Sequence, residues 1–150
     1  MTFNDILWLA AGIIGSLCFG ILFNMRGKKL AAAALGGILT SGLYILLSRY
    51  IQNEPINYFI VAAAVSLYAE IMARLLKTPA SPVVTTSLIP LIPGGSLYYT
   101  MAYAFRSDYD LFIEKAAYTI KLASALALGI ITVTALSHFL FRKAPHSHKE

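Results

Sequence analysis

The sequence predicts an all-α integral membrane bundle of about five spans, the fourth of them broken inside its own apolar run. Three observations carry this. Of 150 residues, 58% are hydrophobic and only 13% are charged, whereas a soluble domain carries about 25% charged residues. The apolar residues gather into runs near the ~20 residues that a helix needs to cross a ~30 Å hydrocarbon core. Those runs are continuous and rich in Ala, Leu and Ile, unlike the alternating strands of a membrane β-barrel.

The first span is expected at about residues 6–23. Its leading stretch, MTFNDILWLAAG, has no basic segment and no clear cleavage site, so it reads as a retained span, not a signal peptide. Gly12, Ser16 and Gly20 put a small residue at every fourth position, a stripe that lets a second helix approach closely. Cys18 is the only cysteine, which permits no internal disulfide and reads as packing. The connector NMRGKK leads to a second span at about 30–47, with its own stripe at Ala32, Gly36 and Thr40. SRYIQNEPIN follows, and Pro55 within it is a natural helix start. The third span covers about 56–76 and carries Glu70 and Arg74. After the turn KTPASP comes the fourth apolar stretch, 83–105. The polar connector RSDYDLFIEK precedes a fifth span at about 116–141 and a cytoplasmic tail, 142–150. Residues 1–150 thus read as a single transmembrane domain.

The basic residues set an orientation. In a soluble protein the net charge of +5 would raise nucleic acid as a partner. Here the basic residues flank the spans, as they do on a cytoplasmic face. With five spans, eight of them (Arg26, Lys28, Lys29, Arg74, Lys77, Arg142, Lys143, Lys149) fall on one side and three (Arg49, Arg106, Lys115) on the other. A re-entrant fourth stretch gives seven against four. Five spans are favoured, with the N-terminus outside and the C-terminus cytoplasmic. An odd count leaves the termini on opposite sides, which suits pairing with a similar unit as an inverted repeat.

The break is IPLIPGG, Ile89 to Gly95. Pro90 and Pro93 lack an N–H, so the carbonyls of Thr86 and Ile89 are expected to be freed. Gly94 and Gly95 are expected to end the helix in open conformations. Ser96 is expected to cap a second half-helix by accepting from Tyr98 or Tyr99 N–H. Unpaired backbone is costly in lipid, so the break must face protein or a water-filled cavity near mid-membrane. One half-helix would offer carbonyls to a cation, the other N–H groups and a positive dipole end to a carboxylate. The bland alternative is a kink that only shapes packing.

Other candidates carry a similar pair of readings. Thr85, Thr86 and Ser87 form a hydroxyl patch that either bonds back to the preceding turn or lines a polar path. Tyr98, Tyr99 and Tyr103 follow the break as interface aromatics or substrate contacts. Glu70 and Arg74, four apart, make an ion pair or a proton-coupling site. His138 lies near the end of the last span, and the tail pair His146 and His148 lacks a third metal ligand. No cofactor, metal or nucleophile motif is read, and catalysis would need convergent groups that the chain does not offer.

The stretch AEIMARLLKTPASPVVTTSLIPLIPGGSLYYTM resembles the threonine/serine exporter family. Ala73-Arg74, Lys77-x-Pro79, the Ile-Pro-Leu-Ile-Pro-Gly-Gly run from Ile89 to Gly95, and Leu97-Tyr98 carry the resemblance. Within that family it is similar to the small, C-terminal-half membrane subunit of two-component bacterial exporters for threonine and serine or for dicarboxylates such as succinate. The resemblance implies an inner-membrane exporter component. It also implies a larger partner subunit with a soluble hydrolase-like domain and about five spans. The hydrolase-like residues have no counterpart here. An assembly subunit that completes a site held by the partner is the second reading, and a membrane enzyme the third.

Overall fold

The computed structural model describes residues 3–141. Every regular element among them is helical: α1 (Phe3–Leu22), α2 (Lys28–Ser48), α3 (Glu54–Leu75), α4 (Ala80–Leu88), a 3-10 turn (Ile89–Leu91), α5 (Gly94–Phe105) and α6 (Tyr109–Phe141). The tail with Arg142, Lys143, His146, His148 and Lys149 lies outside the described residues, as does the His138 side chain. By length and composition, α1, α2, α3 and α6 can each cross a membrane. Ala80–Leu91 and Gly94–Phe105 each rise only about 18 Å, so the fourth traverse is made by the two together.

Local chemistry sets the helix ends. Asn24, Lys77 and Ser107 have positive φ (55°, 49° and 56°) just past α1, α3 and α5. At each, two N–H groups turn back onto the last turn, as in Met25 to Gly20 (2.9 Å), Thr78 to Ala73 (2.9 Å) and Asp108 to Tyr103 (3.2 Å). This is the Schellman closure, made here without glycine. Pro55 sits in the first turn of α3, as expected. The Asn57 side chain, 1% exposed, closes the α2–α3 turn by donating to the Ile51 carbonyl at 3.0 Å. Helix α6 starts at Tyr109, not near 116, because Asp108 accepts from Phe112 and Leu111 N–H at 2.9 and 3.4 Å. Most of the expected polar connector is therefore helix. Similarly, α3 and α4 begin a turn or less before the expected residues 56 and 83.

The helix directions follow from side-chain contacts. Arg49 and Asp5 pair at 2.8 Å, which sets the start of α1 beside the end of α2. Tyr118 donates to the carboxylate of Glu54, the first residue of α3. Further along, Gly129 lies against Phe59 and Ala62, and Glu70 and Thr134 share a cavity. Helices α3 and α6 therefore run parallel, and the α4–α5 traverse between them runs the other way. The start of α1 and the end of α6 lie at opposite ends of the bundle. Helix α5 packs chiefly along the first half of α6.

The two stripes of small residues are used inside the chain. A methyl group placed on Gly12 would lie 2.1 Å from Ser41 Oγ, and one on Gly37 2.2 Å from Ser16 Oγ, so α1 and α2 meet almost backbone to backbone. Gly36 does the same for Ser87 of α4 (1.9 Å). Thr40 shares its proton between the carbonyls of Ser87 (2.7 Å) and Gly36 (2.9 Å). The Tyr68 hydroxyl donates to the Ala32 carbonyl at 2.9 Å and ties α3 to α2. A core of Tyr58, Val61, Ala62, Val65, Leu88, Leu91 and Leu122 fills the centre. Large apolar side chains cover the outside, Leu22 at 76% and Leu75 at 71% exposure among them. That surface suits lipid. Cys18, read as packing, is exposed on α1.

Candidate functional site

The break combines three devices. The chain first tightens into the 3-10 turn, so the Ile89 carbonyl accepts Ile92 N–H at 3.2 Å and is not freed as expected. Ile92 is extended (φ −62°, ψ 126°). Pro93 then takes φ −74° and ψ 57°, and Gly94 N–H bonds the Ile92 carbonyl at 2.7 Å. That is an inverse γ-turn. Gly94 and Gly95 open α5 instead of ending α4, and neither has positive φ. Ser96 does not cap α5; its hydroxyl meets Thr119 Oγ1 at 2.9 Å. Thr100 meets the same Thr119 at 3.1 Å, which pins α5 to α6. The break is also off centre. Pro90 stands level with Gly12 and Ser41, seven residues or about 10 Å from the end of α2.

Beside the break lies a cavity of about 400 Å³ lined by Trp8, Tyr44, Glu54, Tyr58, Ile92, Pro93, Gly94, Gly95, Ser96, Tyr99, Lys115, Tyr118 and Leu122. Its volume is in the range of small-molecule sites, about 300–1,000 Å³. One wall is aromatic: Trp8 stacks on Tyr44 (5.9 Å), and Tyr44 meets Tyr58 edge to face (5.7 Å). The opposite wall is the start of α5. Leu97 N–H bonds Pro93, and helix geometry leaves Gly95 and Ser96 N–H with no intrahelical acceptor. A methyl group on Gly94 or Gly95 would meet nothing within 4 Å, so both leave bare backbone facing open space. Glu54 brings an acid, held by Tyr118, and Lys115 brings a base, 3.2 Å from Glu114.

The residues singled out from sequence separate onto several faces. Pro93, Gly94, Gly95 and Ser96 line the cavity at the break, with Tyr99. Thr85 and Glu70 line a second cavity of about 420 Å³ between α3, α4 and α6. Thr86 is buried and bonds back to the Pro82 and Val83 carbonyls at 2.8 and 3.2 Å. Ser87 is buried against Gly36 of α2. Pro90 faces α1, beside Leu7, Trp8 and Ala11. Tyr98 points outward, 69% exposed, against Tyr99. Glu70 and Arg74 form the expected ion pair at 3.4 Å. Sequence reading missed Trp8, Tyr44, Glu54, Tyr58, Lys115 and Tyr118. The available signal was that five alternating spans put Glu54 and Lys115 at the same end.

A profile of the threonine/serine exporter family, ThrE, matches residues 8–136. That stretch runs from the first helix into the last and takes in both cavities. The chain belongs to the threonine/serine exporter family. This family consists of transporters, and the apolar helices of this member make it a multi-pass membrane protein. No curated protein and no solved structure matches the chain significantly.

Proposed function

We propose that the chain exports small hydroxy amino acids, binding them in the cavity beside the break. The observation that carries this is the convergence of a helix N-terminus, an acid and a base on one cavity of amino-acid dimensions. The Gly95 and Ser96 amides, with Lys115, suit a carboxylate. Glu54 suits the ammonium group. The Tyr58, Tyr99 and Tyr118 hydroxyls suit a side-chain hydroxyl. Glu54 also disfavours dicarboxylates such as succinate, because a second negative charge would face it at close range.

In this reading the membrane is the bacterial cytoplasmic membrane, with the start of α1 outside. The described basic residues at the α1–α2 and α3–α4 turns (Arg26, Lys28, Lys29, Lys77) support that orientation. A larger membrane subunit completes the transporter, which suits an odd number of traverses. The test is efflux of labelled threonine, serine and succinate from cells producing the chain. Glu54→Gln and Lys115→Met should each cut threonine efflux by about tenfold or more, a loss equivalent to one charge-assisted contact to the substrate. Both should still reach the membrane. Succinate efflux equal to that of threonine, or full threonine efflux by both variants, refutes the reading. Threonine counterflow by the purified chain alone in liposomes would remove the partner from it.

A further inference from the structure

The cavity at the break and the cavity beside Glu70 lie toward opposite ends of the bundle, the first reaching Glu54 and Lys115 and the second Glu70 and Thr134, and among the described residues Ile92 alone lines both. On α6 the boundary falls within one turn, between Leu122 of the first cavity and Leu126 of the second. Leu88 and Leu91 back the junction from the core, at 4% and 2% exposure, whereas Ile92 is 54% exposed. Its side chain therefore projects from the break instead of filling the core.

The two cavities also carry similar chemistry. Each has an acid from α3: Glu54 in one, Glu70 in the other. These stand sixteen residues apart, about 24 Å along the helix. Each acid has a base nearby, Lys115 lining the first cavity and Arg74 paired with Glu70 beyond the second. The second cavity adds hydroxyls from Ser81, Thr85 and Thr134. A zwitterion meets an acid, a base and hydroxyls at either end, and the sec-butyl side chain of Ile92 in between.

We propose that Ile92 is the plug of a single transport path, and that the Glu70 cavity is the second vestibule, receiving the same amino acid from the opposite membrane face. This rests on the substrate reading above. A hydrophobic side chain between two chambers that each carry an acid and hydroxyls blocks hydrated solutes, since a zwitterion must shed water to pass it. The plug must leave the junction once per transport event.

Everted membrane vesicles from cells producing the chain test this with labelled threonine. Ile92→Trp overfills the junction and should lower threonine flux about tenfold or more. Ile92→Ala opens it and should raise downhill leak several-fold. In a Cys18→Ser background, threonine should still slow thiol labelling of Ser96→Cys when Ile92 is Trp. Threonine supplied from the opposite face should slow labelling of Thr85→Cys. Wild-type flux in both Ile92 variants overturns the plug. If Ile92→Trp fails to accumulate, Ile92→Ala decides alone, and unchanged leak overturns it. Absence of Thr85→Cys protection overturns the second vestibule. Absence of Ser96→Cys protection with Ile92 in place overturns the substrate site itself, which separates the two failures.

Discussion

Gly129→Ala tests the close pairing of α3 and α6 on which both cavities depend. The new methyl group would lie 2.7 Å from the Phe59 carbonyl oxygen, 2.8 Å from Ala62 Cβ and 3.1 Å from the Ala63 nitrogen. Ordinary contact begins at 3.4 Å. The shortfall of about 0.7 Å is against backbone, which no rotamer change relieves. The helices must therefore separate. Overpacking of this kind costs about 1–3 kcal/mol, and at about 2–4 °C per kcal/mol the melting midpoint falls by roughly 5 °C. The assay is retention of the monodisperse detergent-solubilised peak after stepwise heating. Adding Ala62→Gly removes the 2.8 Å clash but leaves the carbonyl at 2.7 Å, so it should restore only part of the loss. A Gly129→Ala variant that melts like the wild type would refute the close approach of α6 to α3 at this level.

Two further outcomes follow from local geometry. Thr40→Val deletes the hydroxyl that reaches Ser87 at 2.7 Å; it should cost about 1 kcal/mol, and an unchanged midpoint in the same heating assay counts against that contact. Gly95→Ala should fold and export normally, because its methyl group meets nothing within 4 Å, whereas Gly95→Leu should insert normally but fill the cavity and abolish threonine efflux. Equal efflux from the two variants contradicts a substrate site at the start of α5.

Much of the bundle was readable from residue type alone. Continuous apolar runs located the spans, Pro55 marked a helix start, and the Gly12–Ser16–Gly20 stripe found its partner in α2. These are local signals with a local cause. The break itself was visible in its prolines, but its geometry was not. Whether an apolar run with two prolines resolves into freed carbonyls or into a 3-10 turn followed by a γ-turn depends on packing against α1 and α6. Ser96 illustrates this: its cap role was plausible in isolation, and Thr119, twenty-three residues away, claimed it instead. The cavity was less legible still. Trp8, Tyr44, Glu54, Lys115 and Tyr118 come from four helices, and only the relative levels of those helices bring them together. Those levels depend on α6 starting at Tyr109, a shift that rests on Asp108 acting as the helix start.

The γ-turn at Pro93 has a mechanical consequence. Helices α4 and α5 share almost no backbone ladder across it: Pro90 and Pro93 supply no donors, and Gly94 N–H is spent on Ile92. Swinging α5 about this point breaks about one backbone hydrogen bond, on the order of 1 kcal/mol. Bending an intact helix to the same angle would break several. Ser96 and Thr100 fasten α5 to Thr119 of α6, so these hydroxyl contacts, more than any backbone ladder, resist the swing. The tightly interlocked glycine contacts of α1, α2 and α4 would stay as the frame. The backbone at Pro93 is thus the place where the fourth traverse offers the least resistance to bending.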